Sequence, residues 1–242
     1  MENYILKNIA GEDVILNYND VTKRILDEYK PSFGPYLTFI TETQELYDFL
    51  FSGFGDKKIN VLDIGANGGL FSLYCAPICN KVYAIEPSAV LCRTIKEFST
   101  GQDNIIVCNN AISNQDGMIK YFFFPDCTGQ STIHNRAKAK NAEAIKLSVT
   151  AYSVLNFIKK HKIDYVDICK MDIEGEEVNI FNEETIESLE PFVNKFWVEV
   201  HHTAHINGKH MEQNFTEITQ RFKDKGYNLY EDIAHFGFIA YK

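Results

Sequence analysis

Basic charge, paired cysteines, long apolar runs and the spaced glycines of a phosphate-binding fingerprint are all scarce in this chain. Lys and Arg number 24 against 33 Asp and Glu, a formal charge of −9, which argues against a duplex-binding surface built on counterion release. A nucleic-acid partner is therefore not expected. The six cysteines (Cys75, Cys79, Cys92, Cys108, Cys127, Cys169) contain no C-x-x-C pair, and several sit inside apolar runs, so they read as reduced, structural side chains. No stretch has the length needed to cross a bilayer, and the opening Met-Glu-Asn-Tyr is acidic and polar. Neither export nor membrane insertion is expected, and the expected compartment is the cytoplasm.

What is abundant is core. Hydrophobic residues make up 45% of the 242, including 18 Phe and 13 Tyr, enough for one sizeable α/β domain that folds without staples. Residues 1–40 carry short apolar segments and the cluster Lys30-Pro31-Ser32-Phe33-Gly34-Pro35-Tyr36, which excludes a long helix there. They are expected to form an N-terminal cap over a domain spanning 41–242. Tyr29, Phe33 and Tyr36 could line a cleft, although packing on the domain surface accounts for them as well.

From Thr41 onward strands and helices alternate. A capping box at Thr41-Glu42-Thr43-Gln44 opens a helix over about 42–52. Buried strands follow at Val61–Ile64, Val82–Glu86, Asn104–Cys108, Tyr165–Ile173 and Phe196–Val200, separated by helical periodicities. One such helix starts at Ser88, and another carries Val178, Ile180 and Phe181. Met118–Phe124 and Lys146–Thr150 break the alternation and suggest an extra hairpin. The polar stretch between them, 125–144, is long enough to be a lid. Met211, Phe215, Ile218 and Phe222 mark a last amphipathic helix before a closing pair of strands near Leu229 and Phe236–Tyr241. The pattern is that of a mostly parallel sheet wrapped by helices, with one antiparallel edge strand.

In such sheets ligands sit beyond the carboxyl ends of the strands. The first of these ends is Asp63-Ile64-Gly65-Ala66-Asn67-Gly68-Gly69, a turn with little side-chain bulk whose amides a ligand should be able to approach. Glu86 follows Gly65 by 21 residues, the interval at which a carboxylate reaches two ribose hydroxyls. NAD and S-adenosylmethionine both fit that interval. Asp63 and the other strand-end acids separate them, because carboxylates repel a diphosphate and attract a sulfonium bearing an amino-acid tail. A purely structural Asp63, capping its own turn, is the bland alternative.

The runs VLDIGANGG, AIEP, NNAISNQDG and KMDIEGEE, in that order between about Leu46 and Val200, resemble the FkbM family of S-adenosylmethionine-dependent methyltransferases. The resemblance implies the class I methyltransferase fold, a Rossmann-like seven-stranded sheet with a reversed last strand. It also implies methylation of hydroxyls on sugars, polysaccharide precursors or secondary metabolites, so that the partner is a small-molecule or glycan acceptor. By the same resemblance Asp63, Gly65, Ala66 and Asn67 hold the methionine end of the donor, Glu86 the ribose, and Asn110 with Ala111 border the adenine, while Asp172 faces the sulfonium.

An alcohol acceptor must lose a proton, and His201, ending a strand beside that of Asp172, is the first candidate base on the strength of an ordinary pKa near neutrality. If the strand continues, His202 points the other way. Glu174 and Glu177 read as charges complementing a helix N-terminus. A divalent ion on Asp172, Glu199 and His201 is possible but not favoured, since His201, His202 and His205 match no zinc spacing. A nicotinamide-dependent oxidoreductase and a non-catalytic cofactor-binding module remain as alternatives.

Overall fold

The protein is described by a computed structural model covering residues 4–16, 36–37, 44–125, 128–134, 144–203 and 208–242. Tyr29 and Phe33, the capping box before Gln44, Cys127 and His205 lie outside these, as does the side chain of Tyr36.

Among the described residues the strands form three sheets. The main one has seven strands: β4 (Ile59–Ile64), β5 (Cys79–Ile85), β6 (Ile105–Cys108), β10 (Val166–Met171), β11 (Val193–Glu199), β12 (Asn228–Asp232) and β13 (Gly237–Tyr241), in the order β12-β13-β11-β10-β4-β5-β6. The pairs from β6 through β11 are parallel, and β13 runs antiparallel to both of its neighbours. The reversed strand is thus not at the edge, as the sequence suggested; it is inserted between β11 and β12. Phe238, Ile239 and Ala240 explain this, because all three are fully buried and an edge position would leave one flank of such a strand in water.

Alternation along the strands feeds two cores. Leu62, Ile64, Cys169 and Met171 face one side, with Phe157 and Ile158 of α4 (Val154–Lys160), Ile186 and Leu189 of α6 (Glu183–Leu189), and Phe215, Ile218 and Phe222 of α7 (Met211–Asp224). Val61, Ile168, Trp197 and Ile239 face the other, against Leu46, Tyr47 and Leu50 of α1 (Gln44–Phe51) and all of α2 (Leu70–Cys75). The next helix, α3 (Ala89–Phe98), is capped by Ser88, whose hydroxyl accepts from Leu91 N at 3.4 Å.

The helix expected to carry Val178, Ile180 and Phe181 is a single turn, α5 (Glu177–Ile180). It stops because Asn182 takes the extended cap conformation and accepts from Thr185 N at 2.8 Å, starting α6.

A second sheet joins β7 (Ala111–Ile112), β8 (Gly117–Phe123) and β9 (Ile145–Tyr152) in the order β7-β9-β8, with β8 and β9 forming the extra antiparallel pair. At the start of the chain β1 (Tyr4–Lys7), β2 (Asp13–Leu16) and β3 (Tyr36–Leu37) make a small sheet. It leans on α2 through buried Leu6 and a bond from Ile9 N to Tyr74 O at 3.1 Å. The five described cysteines are free and buried. Among the described residues no helix is long and apolar enough to cross a membrane.

Candidate active site

A cleft of about 260 Å³ opens at the carboxyl ends of β4, β5, β10 and β11. Asp63, Gly65, Ala66, Asn67, Glu86, Asn110 and Ala111 all line it, and so does Asp172. His201 stands behind Asp172, with Nε2 at 3.7 Å from Asp172 Oδ1.

The glycine-rich turn differs in one respect from the expectation. Three of its amides are already engaged: the N–H groups of Gly65 and Ala66 both donate to Ile85 O, at 3.0 and 3.1 Å, and Asn67 N donates to Glu86 Oε2 at 3.1 Å. The glycine at 65 is required by packing rather than by a ligand. At φ +82° a Cβ there would lie 1.8 Å from the carbonyl oxygen of Asp172. With its first three donors already bonded, the turn leaves few amides for an anion.

What faces the cleft instead is negative charge. Asp63 is fully buried; its Oδ2 accepts from Ser72 Oγ at 2.6 Å, while its Oδ1 has no hydrogen-bond partner and lies 3.7 Å from Lys170 Nζ. Burial raises its pKa, against the pull of Lys170 and the Ser72 hydroxyl. Glu86 is also buried, and burial pushes it up to about 7 although Ser88 N, Asn67 N and the Tyr121 hydroxyl all donate to it. Asn110 donates to Thr150 O at 3.4 Å, which fixes its position beside buried Ala111.

Around His201 the acids gather more closely. Its Nδ1 is 3.0 Å from Glu177 Oε1, and its Nε2 is 3.6 Å from Glu174 Oε1, 3.6 Å from Glu199 Oε1 and 3.7 Å from Asp172 Oδ1. Burial alone would lower its pKa, but Glu177, Glu174 and Asp172 outweigh that and lift it to about 10. The expectation of a near-neutral base is corrected accordingly: surrounded by carboxylates, the imidazole is a cation at neutral pH. His202 is exposed.

Glu177 does more than complement a helix terminus. Its buried carboxylate accepts from Ile173 N at 2.9 Å and Gly175 N at 2.8 Å, so it shapes the Asp172–Gly175 turn while orienting His201. Glu176, next to it, accepts from Ser113 and Asn179, and its Oε2 lies 3.2 Å from Nε2 of His134. Burial pushes its pKa up, but these bonds prevail and hold it below the usual value.

Several lining residues were not picked out from the sequence. Lys170 is the one with a visible signal, being a charge in the middle of the buried run Val166–Met171. Tyr121 has none, because one tyrosine among Tyr121-Phe122-Phe123-Phe124 reads as core. The described part of the 125–144 stretch roofs the cleft: Thr128 Oγ1 donates to Asn67 Oδ1 at 2.9 Å, and Thr132 Oγ1 donates to Glu174 O at 3.0 Å.

The methyltransferase FkbM domain matches residues 63–229, which include this cleft and most of the sheet. The chain belongs to the FkbM methyltransferase family. Its methyl donor is S-adenosylmethionine, and the cleft fits that molecule, since the buried oxygen of Asp63 lacks a donor that an ammonium group supplies.

A ribosomal RNA small subunit methyltransferase A from Streptococcus equi subsp. zooepidemicus is 34% identical over 116 residues, 44% of this chain. The match covers only 38% of that relative. Among solved structures, a putative caffeoyl-CoA O-methyltransferase from Staphylococcus aureus aligns at 10% identity and TM-score 0.48, covering 92% of this chain and 91% of its own. A putative methyltransferase from Streptococcus mutans, in complex with SAH, aligns at 13% identity and TM-score 0.46, covering 83% and 97%.

Proposed function

We propose that this FkbM-family methyltransferase transfers its methyl group to a hydroxyl of a small molecule or glycan: a sugar, a polysaccharide precursor or a secondary metabolite. The observation that supports the reading is the acid cluster around His201 at the cleft. An alcohol needs a proton acceptor that a softer nucleophile can do without, and here a carboxylate lining the cleft, Asp172, is backed by an imidazolium.

When bound, the donor supplies a methyl carbon already activated for in-line displacement. The chain's own work is alignment and proton handling. Asp172 accepts the hydroxyl proton as the oxygen attacks, and His201, held through Nδ1 by Glu177, places a positive charge 3.7 Å from its Oδ1. Thr128, Ser131, Thr132 and Ile133 line the cleft on its roofed side. In this reading Asp172, expected to face the sulfonium, is the base, and His201, expected to be the base, is the positioning cation.

The S. equi relative carries ribosomal RNA in its name, which makes RNA the competing acceptor. The net charge of −9 speaks against it, because phosphate recognition draws on Lys and Arg. Transfer of labelled methyl groups to a panel of sugars, phenols and RNA tests the choice. Label on a hydroxyl compound, abolished in Asp172→Asn with SAH binding retained, is the expected result. Label on RNA alone would overturn it.

A second reading has its own observation. Ligand atoms of Asp172, Glu199 and His201 lie within 4.8 Å of one another, and a carboxylate on Nδ1 is the usual outer support of a metal-bound histidine. In that reading a divalent cation on this set lowers the acceptor's pKa. Titration with Mn²⁺ followed by electron paramagnetic resonance decides it: micromolar binding lost in Glu199→Gln favours the metal, and no binding removes it.

A further inference from the structure

The roof of the cleft is the segment Thr128-Gly129-Gln130-Ser131-Thr132-Ile133-His134, in which every side chain but that of Ile133 is small or polar. Ile133 packs against the cluster of Tyr121, Phe123 and Val149. The main chain is tied to the neighbouring strand at one bridge, where Phe122 N donates to Thr132 O at 2.8 Å and Thr132 N to Phe122 O at 3.1 Å. On its other flank β8 pairs with β9 along its whole length, from Gly117 to Phe123. A segment with so little apolar burial and so short a ladder belongs to the least stable part of a fold.

Three side-chain contacts hold it across the cleft instead. Thr128 Oγ1 donates to Asn67 Oδ1 at 2.9 Å, which grips the glycine-rich turn after β4. Thr132 Oγ1 donates to Glu174 O at 3.0 Å, and His134 Nε2 lies 3.2 Å from Glu176 Oε2; both grip the turn after β10. The segment thus bridges two strand ends between which the cleft opens.

Glu176 is the firmest of these anchors. It is buried, and its carboxylate accepts from Ser113 Oγ at 2.8 Å and Asn179 Nδ2 at 2.7 Å, so it stays in place with or without His134. Burial would raise its pKa, but His134, Asn179 and Ser113 hold it below the usual value, and it remains an anion. A contact to a buried carboxylate is stronger than one between neutral groups, which makes His134 the decisive fastening.

We propose that residues 128–134 are a strap that opens to admit S-adenosylmethionine and closes over it, with the His134–Glu176 contact as its latch. All three fastenings join protein to protein, and none needs the donor. Loosening them therefore changes how often the cleft opens, not how well it holds its ligand.

The test is stopped-flow binding of S-adenosylhomocysteine, followed by the fluorescence of Trp197, the chain's single tryptophan and a residue lining the cleft. His134→Ala should raise the association and release rate constants together, by roughly 10- to 100-fold, the range for a hydrogen bond to a charged group. Kd should then stay within about threefold of wild type. Thr132→Val removes a neutral bond and should raise both rates by roughly two- to tenfold. His134→Gln, which can still donate to Glu176, should fall between wild type and His134→Ala.

Faster release with unchanged association in His134→Ala would overturn the latch, because that is the signature of a contact that merely supports the bound ligand. Two unchanged rates would overturn it as well. Hydrogen exchange on wild-type protein tests the strap without any variant: the amides of Ser131 and Thr132, bonded to Thr128 O and Phe122 O, should exchange well before those of β9. Exchange as slow as that of β9 would mean that the roof does not open.

Discussion

Glu177 Oε1 lies 3.0 Å from Nδ1 of His201, and the same carboxylate accepts the amides of Ile173 and Gly175. One buried acid thus fixes both the turn that carries Asp172 and the imidazole beside it. Replacing Glu177 with Ala leaves two backbone donors and an imidazolium without their partner. Loss of about 3 kcal/mol of stability is expected in urea titration, together with loss of turnover. A change under about 0.5 kcal/mol would show that the turn stands without it.

His201 gives stability a definite pH dependence. Its folded-state pKa of about 10 lies above the ordinary value of 6.5, so the folded state binds the proton more tightly. The stabilisation is complete below pH 6.5 and is lost as pH rises towards 10. In chelator-treated protein, denaturation curves should show a fall on the order of 5 kcal/mol across that window, and the fall should flatten in His201→Gln. An identical slope in the variant would place the titration elsewhere.

Donor affinity should depend on Glu86. Burial holds its pKa at about 7, and ribose hydroxyls donate to its ionised form, so binding is favoured once the carboxylate loses its proton. Affinity for S-adenosylhomocysteine should rise between pH 5.5 and 7 by up to roughly tenfold per unit and then level off. Glu86→Gln should bind weakly and without that slope. A slope preserved in the variant would contradict the assignment.

Gly65 and Asp63 separate packing from recognition. A Cβ at Gly65 would overlap the Asp172 carbonyl, so Gly65→Ala should cost several kcal/mol and be seen as a lowered melting temperature. Asp63→Asn should fold, since the amide can still accept from Ser72, and lose donor affinity instead. Normal folding of Gly65→Ala would mean that β4 and β10 separate more readily than their register suggests.

How much of this was legible in the sequence follows from what each signal measures. Strand ends are readable because buried apolar runs stop abruptly at polar residues, and of these Asp63, Glu86, Asn110 and Asp172 line one cleft. Orientation is not readable. The letters Gly65-Ala66-Asn67 describe a small turn but not that the amides of Gly65 and Ala66 bond Ile85 O. The insertion of β13 between β11 and β12 depends on tertiary pairing that no local periodicity encodes. A titrating residue's charge depends on neighbours distant in the chain: His201 reads as an ordinary histidine until Asp172, Glu174, Glu177 and Glu199 are folded around it.

The acids lining this cleft should select a cationic, amino-acid-bearing methyl donor over a diphosphate. The most direct measurement is a pair of calorimetric titrations, one with S-adenosylhomocysteine and one with NADH, on wild-type protein and Asp63→Asn. Binding of the first ligand at about 1–100 μM, greatly weakened in the variant, with no heat from NADH, is the predicted result. NADH binding with no response to S-adenosylhomocysteine would contradict the account.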